Sequence, residues 1–159
     1  MTRHTMTVGW ADVPLKRFVD DARLQLAVLM HTSGQVLSQV GFQRSLDVQT
    51  ACALSAGINA SADLLGKMID GAPFRGLHYA GKVRQVYLAQ VQMADGVPLL
   101  LLAVFDEESS LGIVQLYLDE LRATLHSVAP EPSDVPPALA EDFERELNRN
   151  LAALFGKGA

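Results

Sequence analysis

An unbroken run of apolar residues near the middle of the chain is the strongest structural signal in the sequence. The run extends from Leu99 to Phe105 and stops at the acidic residues 106–108. Apolar residues without alternation predict a strand that is covered on both faces and lies inside a sheet. Ser109 or Ser110 can then cap a helix, because a serine hydroxyl accepts hydrogen bonds from free N-terminal amides. The pattern predicts a central strand that leads directly into a helix.

Hydrophobic periodicity predicts the other elements on both sides of this strand. Asp12 is expected to cap the first helix, and Gly34 to take a positive φ in the first hairpin turn. Asp95-Gly96 is typical of a two-residue hairpin turn. The predicted order is helix, two strands, helix, three strands and a helix that ends at Val128. The ranges before this last helix are 13–22, 24–30, 35–40, 48–70, 77–80, 86–93 and 99–105.

The longest predicted helix follows Asp47 as its cap and ends before Gly71 and Pro73. Its sheet-facing stripe is expected at spacings of three and four, at Val48, Ala51, Ser55, Ile58, Ala62, Leu65 and Ile69. A second face has only small residues, which allow another backbone to approach closely. In the last helix, the core stripe is expected at Ile113, Leu116, Tyr117, Glu120, Leu121, Thr124 and Val128.

The arrangement of the strands follows from how each strand is covered. Strands 24–30 and 99–105 are apolar on both faces and are expected side by side at the centre. Their hairpin neighbours extend outward, which leaves strand 77–80 at one edge. Unpaired amides of an edge strand favour pairing with another chain. A homodimer is therefore expected, with its interface at Leu77, His78, Tyr79 and Ala80.

A proline-rich segment separates the C-terminal part of the chain from the rest. The predicted organisation is a domain over 11–128, a stiff linker over 129–137 and an amphipathic helix over 138–159. The helix has one narrow apolar stripe, Leu139, Phe143, Leu147, Leu151 and Leu154. A stripe of this width is expected to bind in a groove of a partner. The alternatives are that the helix folds back onto its own dimer or stays partly disordered.

Composition and charge exclude several classes of function. The chain of 159 residues has 49% hydrophobic and 19% charged residues, as expected for a folded domain. A net charge of -5 without a basic cluster argues against nucleic acid as a partner. The longest apolar run is too short for membrane insertion, and the first ten residues lack the apolar core of a signal peptide. One cysteine excludes an internal disulfide. A cytoplasmic location is expected.

Groups that would carry chemistry are scattered along the chain. The four histidines lie in different predicted elements, and no glycine-rich phosphate loop is present. Cys52 lies among apolar residues and is interpreted as a small core residue. The acidic segment 106–108 is interpreted as a solvated loop that favours the following helix. No nucleophile is paired with a base, so no catalytic residue, metal or cofactor is predicted, and an enzyme that acts alone is disfavoured.

Two short segments, together with the order of elements, resemble a known family. The segments are Leu-Ser-Ala-Gly-Ile-Asn-Ala at 54–60, and Val104-Phe105-Asp106 leading to Ser-Leu-Gly at 110–112. Over about 11–128 the chain resembles the Roadblock/dynein light chain superfamily, and within it the MglB group of bacterial regulators. The helical tail after a proline-rich linker is similar as well. One departure is His31, where the family often has Asp.

The resemblance implies a fold, an assembly and a partner. The implied fold is an α+β, Roadblock/profilin-like domain with a central antiparallel five-stranded sheet, one long helix on one face and two helices on the other. The implied assembly is a homodimer in which edge strands join and the long helices pair. The implied partner is a small Ras-like GTPase of the MglA type, which binds on the helix-pair surface. No arginine finger is implied, so Arg44, Arg75 and Arg84 are interpreted as surface residues.

The resulting functional hypothesis is a GTPase-activating regulator that also affects nucleotide exchange, in cell polarity and surface motility. The alternative is a non-catalytic dimeric scaffold that binds a GTPase or another partner. The expected partner surface is Ala56, Asn59, Ala60, Asp63, Leu64 and Lys67. Alternatively, Leu64 and Leu54 widen the core stripe or pack in the dimer alone. Family members touch the GTPase with their tail, which implies a modulatory role for the segment after residue 138.

Overall fold

The computed structural model of the chain describes residues 9–41, 46–130 and 149. Within these residues, three helices and five strands follow one another in the predicted order. They are α1 (Gly9–Ala22), β1 (Leu26–His31), β2 (Val36–Gly41), α2 (Val48–Asp70), β3 (Gly76–Ala80), β4 (Gln85–Gln92), β5 (Pro98–Phe105) and α3 (Leu111–Val128).

The five strands form one antiparallel sheet in the order β2-β1-β5-β4-β3. The two strands predicted at the centre, β1 and β5, lie side by side, and Val28 pairs with Leu102. Every residue of β5 from Leu99 to Phe105 is buried. The strand β3 lies at one edge. The prediction of the sheet from apolar runs and hairpin connections is therefore confirmed.

Side chains alternate between the two faces of each strand, and this divides the interior into two cores. On one face, residues such as Leu29, Leu101 and Phe105 pack under α1 and α3. On the other face, residues such as Val28 and Leu100 pack under α2. Successive side chains of a strand point to opposite sides, so one apolar run supplies both cores. The predicted layout, one helix on one face and two on the other, is confirmed.

The predicted caps of α2 and α3 are present. The Asp47 carboxylate accepts hydrogen bonds from the amides of Gln49 and Thr50, and Gly71 ends the helix with a left-handed φ of 73°. Ser110 caps α3 by accepting from the amide of Ile113 at 3.3 Å. The neighbouring Ser109 instead donates its hydroxyl to the carbonyl of Ala22 at 2.6 Å, which joins α3 to the end of α1.

Two boundary predictions are wrong. The first helix begins at Gly9, so Asp12 lies in its first turn. The Asp12 carboxylate accepts a hydrogen bond from the buried hydroxyl of Ser38 at 2.6 Å and ties α1 to β2. The hairpin at Asp95-Gly96 has a five-residue connection, because Gln92 pairs with Pro98.

The predicted core stripe of α3 is also wrong in its position around the helix. The buried residues are Val114, Leu118, Leu121 and Leu125, of which Leu121 belongs to the predicted stripe, whereas Ile113, Leu116 and Val128 of that stripe are exposed. Both sets have the same spacing of three and four, because α3 is apolar on two neighbouring sides. Spacing alone does not decide which of the two stripes packs on the sheet.

The same error affects α2, with a larger consequence. Its buried residues are Cys52, Ser55 and Gly66, of which Ser55 belongs to the predicted stripe, while Ile58, Leu65 and Ile69 of that stripe are exposed. Small side chains face the sheet, and large apolar side chains face outward. Compared with the prediction, the helix is turned about its axis by roughly 60°, counting 3.6 residues per turn.

Gly66 shows how closely α2 approaches the rest of the chain. A Cβ at this position would lie 2.8 Å from the carbonyl oxygen of Ala72 and 2.9 Å from the amide nitrogen of Phe74. Both are backbone atoms, so they cannot move aside as a flexible side chain would. The segment after α2 is therefore packed directly against the helix backbone, and only glycine fits.

We expect Gly66→Ala to lower the free energy of unfolding by about 1–2 kcal/mol, because overpacking outweighs the gain in helix propensity. Gly112→Ala is the matched control, since a Cβ at this exposed position in the first turn of α3 meets no atom within 4 Å. This control should be at least as stable as the parent chain. Chemical denaturation of the three proteins measures the difference, and equal stability of the two variants would contradict the close contact at Gly66.

Candidate partner-binding surface

The outward side of α2 is the most apolar exposed surface of the described residues. Six large apolar side chains of this helix have exposed fractions between 39% and 83%. They are Leu54, Ile58, Leu64, Leu65, Met68 and Ile69. Single exposed apolar residues are ordinary on a protein surface, but a contiguous patch of this kind marks an interaction site.

A groove runs between α2 and the edge strand β3. Its volume is about 630 Å³, and its lining is mostly apolar. From α2 it includes Leu54, Ile58 and Leu65, and from the edge strand Leu77 and Tyr79. Small residues of α2, among them Ala53, Gly57 and Ser61, form the remaining helix side of the groove. The edge strand and the helix therefore belong to one continuous surface.

Successive side chains of β3 lie on opposite faces of the sheet and have different surroundings. Leu77 packs against the α2 core, and Tyr79 is half-exposed at the groove. His78 points to the opposite face, where its ring stacks on Phe105 with centroids 6.2 Å apart. The imidazole Nε2 of His78 also lies 2.7 Å from Oε1 of Gln85. On its outer side, β3 has no neighbouring strand within the described part of the chain. Of the four predicted dimer residues, Leu77 and Tyr79 thus line the groove, His78 supports the strand, and Ala80 is exposed at the end of β3.

The predicted partner residues of α2 fall into two groups. Ala60, Leu64 and Lys67 are exposed on the outward side. Ala56, Asn59 and Asp63 are partly buried toward the sheet. The expectation that all six lie away from the sheet-facing side is therefore wrong for Ala56, Asn59 and Asp63, and the last two are also tied to a sheet residue. The role of the six residues in partner binding stays a prediction.

Gln90 of β4 makes this tie. Its side-chain Nε2 donates to Oδ1 of Asn59 at 3.1 Å and to Oδ1 of Asp63 at 2.8 Å. Its backbone carbonyl accepts from Arg122 of α3 at 2.9 Å on the other side of the sheet. One strand residue thus connects the helices of both faces. Sequence reasoning missed it, although Asn59 and Asp63 are one helical turn apart and share a face.

The thiol of Cys52 and the metal-binding side chains are the reactive groups to consider among the described residues. Cys52 is fully buried, and desolvation raises the pKa of its thiol to about 11, so the thiol stays protonated. This confirms Cys52 as a core residue. Within 9–41, 46–130 and 149, no group of His, Cys, Asp and Glu is arranged to hold a metal ion.

The arginines singled out by the sequence differ in their surroundings. Arg75 is exposed beside the start of β3. Arg84 donates through Nε to the side-chain oxygen of Gln25 at 3.1 Å, and Gln25 in turn donates to Asp106 at 2.8 Å. Arg84 is thus part of a polar network at one end of the sheet. Arg44 lies outside the described residues.

The C-terminal predictions also fall outside the part of the chain that the structure describes. This holds for all five tail anchors, Leu139, Phe143, Leu147, Leu151 and Leu154. The chain divides into two compact units, Met1–Ala129 and Pro130–Ala159. Of the second unit only Pro130 and Arg149 are described, so the linker and the tail helix stay predictions.

Among the described residues, none of the helices has the length and apolar character needed to cross a bilayer.

Comparison with known proteins gives matches at the level of structure. No family model and no curated protein sequence matches the chain. MglB of Myxococcus xanthus superposes with a TM-score of 0.67 at 24% identity, covering 74% of this chain and 93% of MglB. The gliding protein MglB of Thermus thermophilus has a TM-score of 0.67 at 23% identity, with coverages of 81% and 93%.

A more distant match points to the same architecture. A Roadblock/LC7 domain from Streptomyces avermitilis superposes with a TM-score of 0.59 at 17% identity, covering 76% of this chain and 96% of that domain. The antiparallel sheet of five strands between one long helix and two further helices is therefore shared with these proteins. The chain has the Roadblock fold, and MglB is among the solved proteins that it resembles.

Proposed function

We propose that the chain is a homodimeric regulator of a small Ras-like GTPase. The observation that carries the proposal is the continuous apolar surface formed by α2 and the edge of β3, in a fold shared with MglB. The surface offers two separate regions: the groove beside β3, and the outward side of α2 around Ala60 and Leu64. We assign the groove to a second copy of the chain and the outward side to the GTPase.

A second copy fits the groove for two physical reasons. Pairing two β3 edges satisfies backbone amides and carbonyls that otherwise bond only to water. The same approach brings the groove-lining Leu54, Ile58 and Leu65 of both copies together, which removes apolar area from water. A two-fold arrangement meets both requirements at once, because each copy supplies the same strand and helix.

The outward side of α2 suits a partner protein because it combines small and apolar residues. Ala60 is a small exposed residue that lets a partner come close to the helix, and Leu64 and Met68 offer large apolar contacts beside it. In the proposed dimer, the two outward sides lie next to each other and form a wider platform. The resemblance to MglB supports a GTPase of the MglA type as the protein that binds there.

Regulation of this kind requires no catalytic group from the chain itself. An arginine finger would stabilise the transition state directly. In the proposed mechanism the platform instead holds the GTPase in the conformation in which its own residues are placed for hydrolysis. We place this activity in the cytoplasm, in cell polarity or surface motility. The alternative function is a dimeric scaffold that binds the GTPase and leaves its turnover unchanged.

The dimer is tested by a charge in the groove. We expect the parent chain to stay dimeric at low micromolar concentration. Leu65→Glu should raise the dissociation constant at least about 100-fold, because an unpaired carboxylate would be buried. Leu116→Glu is the matched control, since Leu116 is a similarly exposed leucine on α3 at the opposite face. Sedimentation velocity measures both, and a monomeric parent chain would contradict the proposed dimer.

The GTPase surface is tested by binding and turnover. The chain should accelerate phosphate release from a GTP-loaded MglA-type GTPase of the same organism in a single-turnover assay. Ala60→Arg should abolish binding and acceleration but leave the dimer intact, because a long cation does not fit a close helix contact. Gln115→Arg adds the same charge on α3 and should have no effect. Binding without acceleration would favour the scaffold, and unchanged binding by Ala60→Arg would place the interface elsewhere.

The tail is tested by truncation after Ala129. The shortened chain should remain dimeric, because β3 and α2 are both retained. We expect it to differ from the full chain in its affinity for the GTPase or in the rate at which the GTPase releases nucleotide. Both quantities are measured with a fluorescent guanine nucleotide. If the truncated and full chains agree in both assays, the modulatory role of the tail is contradicted.

A further inference from the structure

The rotation of α2 about its axis decides which of its residues are available to a partner. In the observed rotation, Cys52, Ser55 and Gly66 are buried on the inner side of the helix, and Ile58 and Leu65 line the groove. A rotation of about 60° would place the stripe containing Ile58, Leu65 and Ile69 over the sheet instead. That alternative would bury more apolar area of the single chain. The groove would then lose the large side chains from its helix side.

Apolar packing alone does not favour the observed rotation. The inner side chains of α2 are small, so they contribute little buried area compared with the leucines and isoleucines that stay exposed. Interactions other than apolar burial must select this rotation, and the close contact of Gly66 with the backbone at 72–74 is one of them. Ser55 faces inward, but its hydroxyl donates to the carbonyl of Ala51 in the same helix. The polar side chains of α2 that bond to the sheet are Asn59 and Asp63, and both accept hydrogen bonds from Gln90.

We propose that the Gln90–Asn59–Asp63 cluster fixes the rotation of α2 and so keeps the apolar residues of the groove available for a second copy. Gln90 is a positioning residue in this proposal, and it acts through α2. Turning the helix by 60° would move Asp63 away from the sheet and leave the partly buried amide of Gln90 without its acceptors. A buried donor without a partner costs free energy, so the polar cluster opposes the alternative that apolar burial favours.

The donor and acceptor roles in the cluster can be exchanged. In Gln90→Glu, a carboxylate replaces the donating amide and faces the carboxylate of Asp63, so the hydrogen bond is lost and two like charges repel. In the double variant with Asp63→Asn, the new amide donates to the new carboxylate. Asp63→Asn alone keeps an amide oxygen that still accepts from Gln90. We therefore expect Gln90→Glu to lose the hydrogen bonds that hold α2 in its rotation, and the double variant to recover them.

Cys52 reports the rotation directly, because it is the only cysteine of the chain and is fully buried on the inner side of α2. Turning the helix by 60° would bring its thiol to the flank of the helix, where reagents reach it. We expect Gln90→Glu to increase the rate of thiol labelling by a soluble disulfide reagent by about tenfold, as for the loss of one hydrogen bond to a charged group. The double variant and Asp63→Asn should label at the parent rate.

A destabilised variant is the control that distinguishes rotation of α2 from a general loss of stability. Val114→Ala removes buried volume from the opposite core and lowers the denaturation midpoint, yet it should leave Cys52 protected. Faster labelling of Gln90→Glu that the double variant reverses supports the proposal. The proposal is overturned if Gln90→Glu labels at the parent rate, if the double variant labels as fast as Gln90→Glu, or if Val114→Ala labels equally fast.

The statement that the cluster keeps the groove available for a second copy rests on the proposed function. The labelling experiment is independent of that function. Sedimentation should show weaker self-association of Gln90→Glu and recovery in the double variant. If the parent chain is monomeric, the proposed dimer fails, but the labelling result still decides whether Gln90 fixes the helix. If the parent dimer forms and Gln90→Glu labels faster but associates equally well, the assignment of the cluster to the groove is overturned.

Discussion

The small size of the residues on the inner side of α2 is the constraint on which the exposed surface depends. Cys52, Ser55 and Gly66 are buried there, and Gly66 allows the helix backbone to come close to the segment after the helix. Because the inner side is occupied by small residues, the large apolar residues must lie elsewhere on the helix. They lie on the outward side and beside β3. Close packing inside and an apolar surface outside are therefore two results of one arrangement.

Much of the fold follows from the sequence because several independent signals agree. The run from Leu99 to Phe105 is apolar on both faces, so its central position follows from burial alone. Asp47, Gly71 and Ser110 mark helix ends through hydrogen bonds or a positive φ that few other residues support. These signals act over a few residues of chain, so they are readable without knowledge of the tertiary structure.

The rotation of α2 and of α3 about their own axes could not be predicted from such local signals. In α3 two apolar stripes have the same spacing, and in α2 the large apolar stripe lies away from the sheet, so periodicity predicts an amphipathic helix but not the side that is buried. In α2 the choice depends on the contact between Gly66 and the backbone at 72–74 and on the hydrogen bonds of Gln90, which is far away in the sequence. Asn59 and Asp63, which the sequence analysis places on the outward side of α2, are therefore tied to the sheet instead.

This distinction matters for function because the Roadblock fold does not imply a reaction. One fold supports many functions, and the residues of the site must decide among them. Among the described residues, the reactive side chains are either scattered or, like Cys52, buried and protonated. What distinguishes the chain is an apolar surface on a helix that a polar cluster ties to the sheet. A rigid surface of this kind favours binding, because a partner does not have to order the helix first. A regulator that acts by holding another protein in one conformation requires such a surface. A helix that is free to rotate would change its own orientation on binding and would not hold the partner.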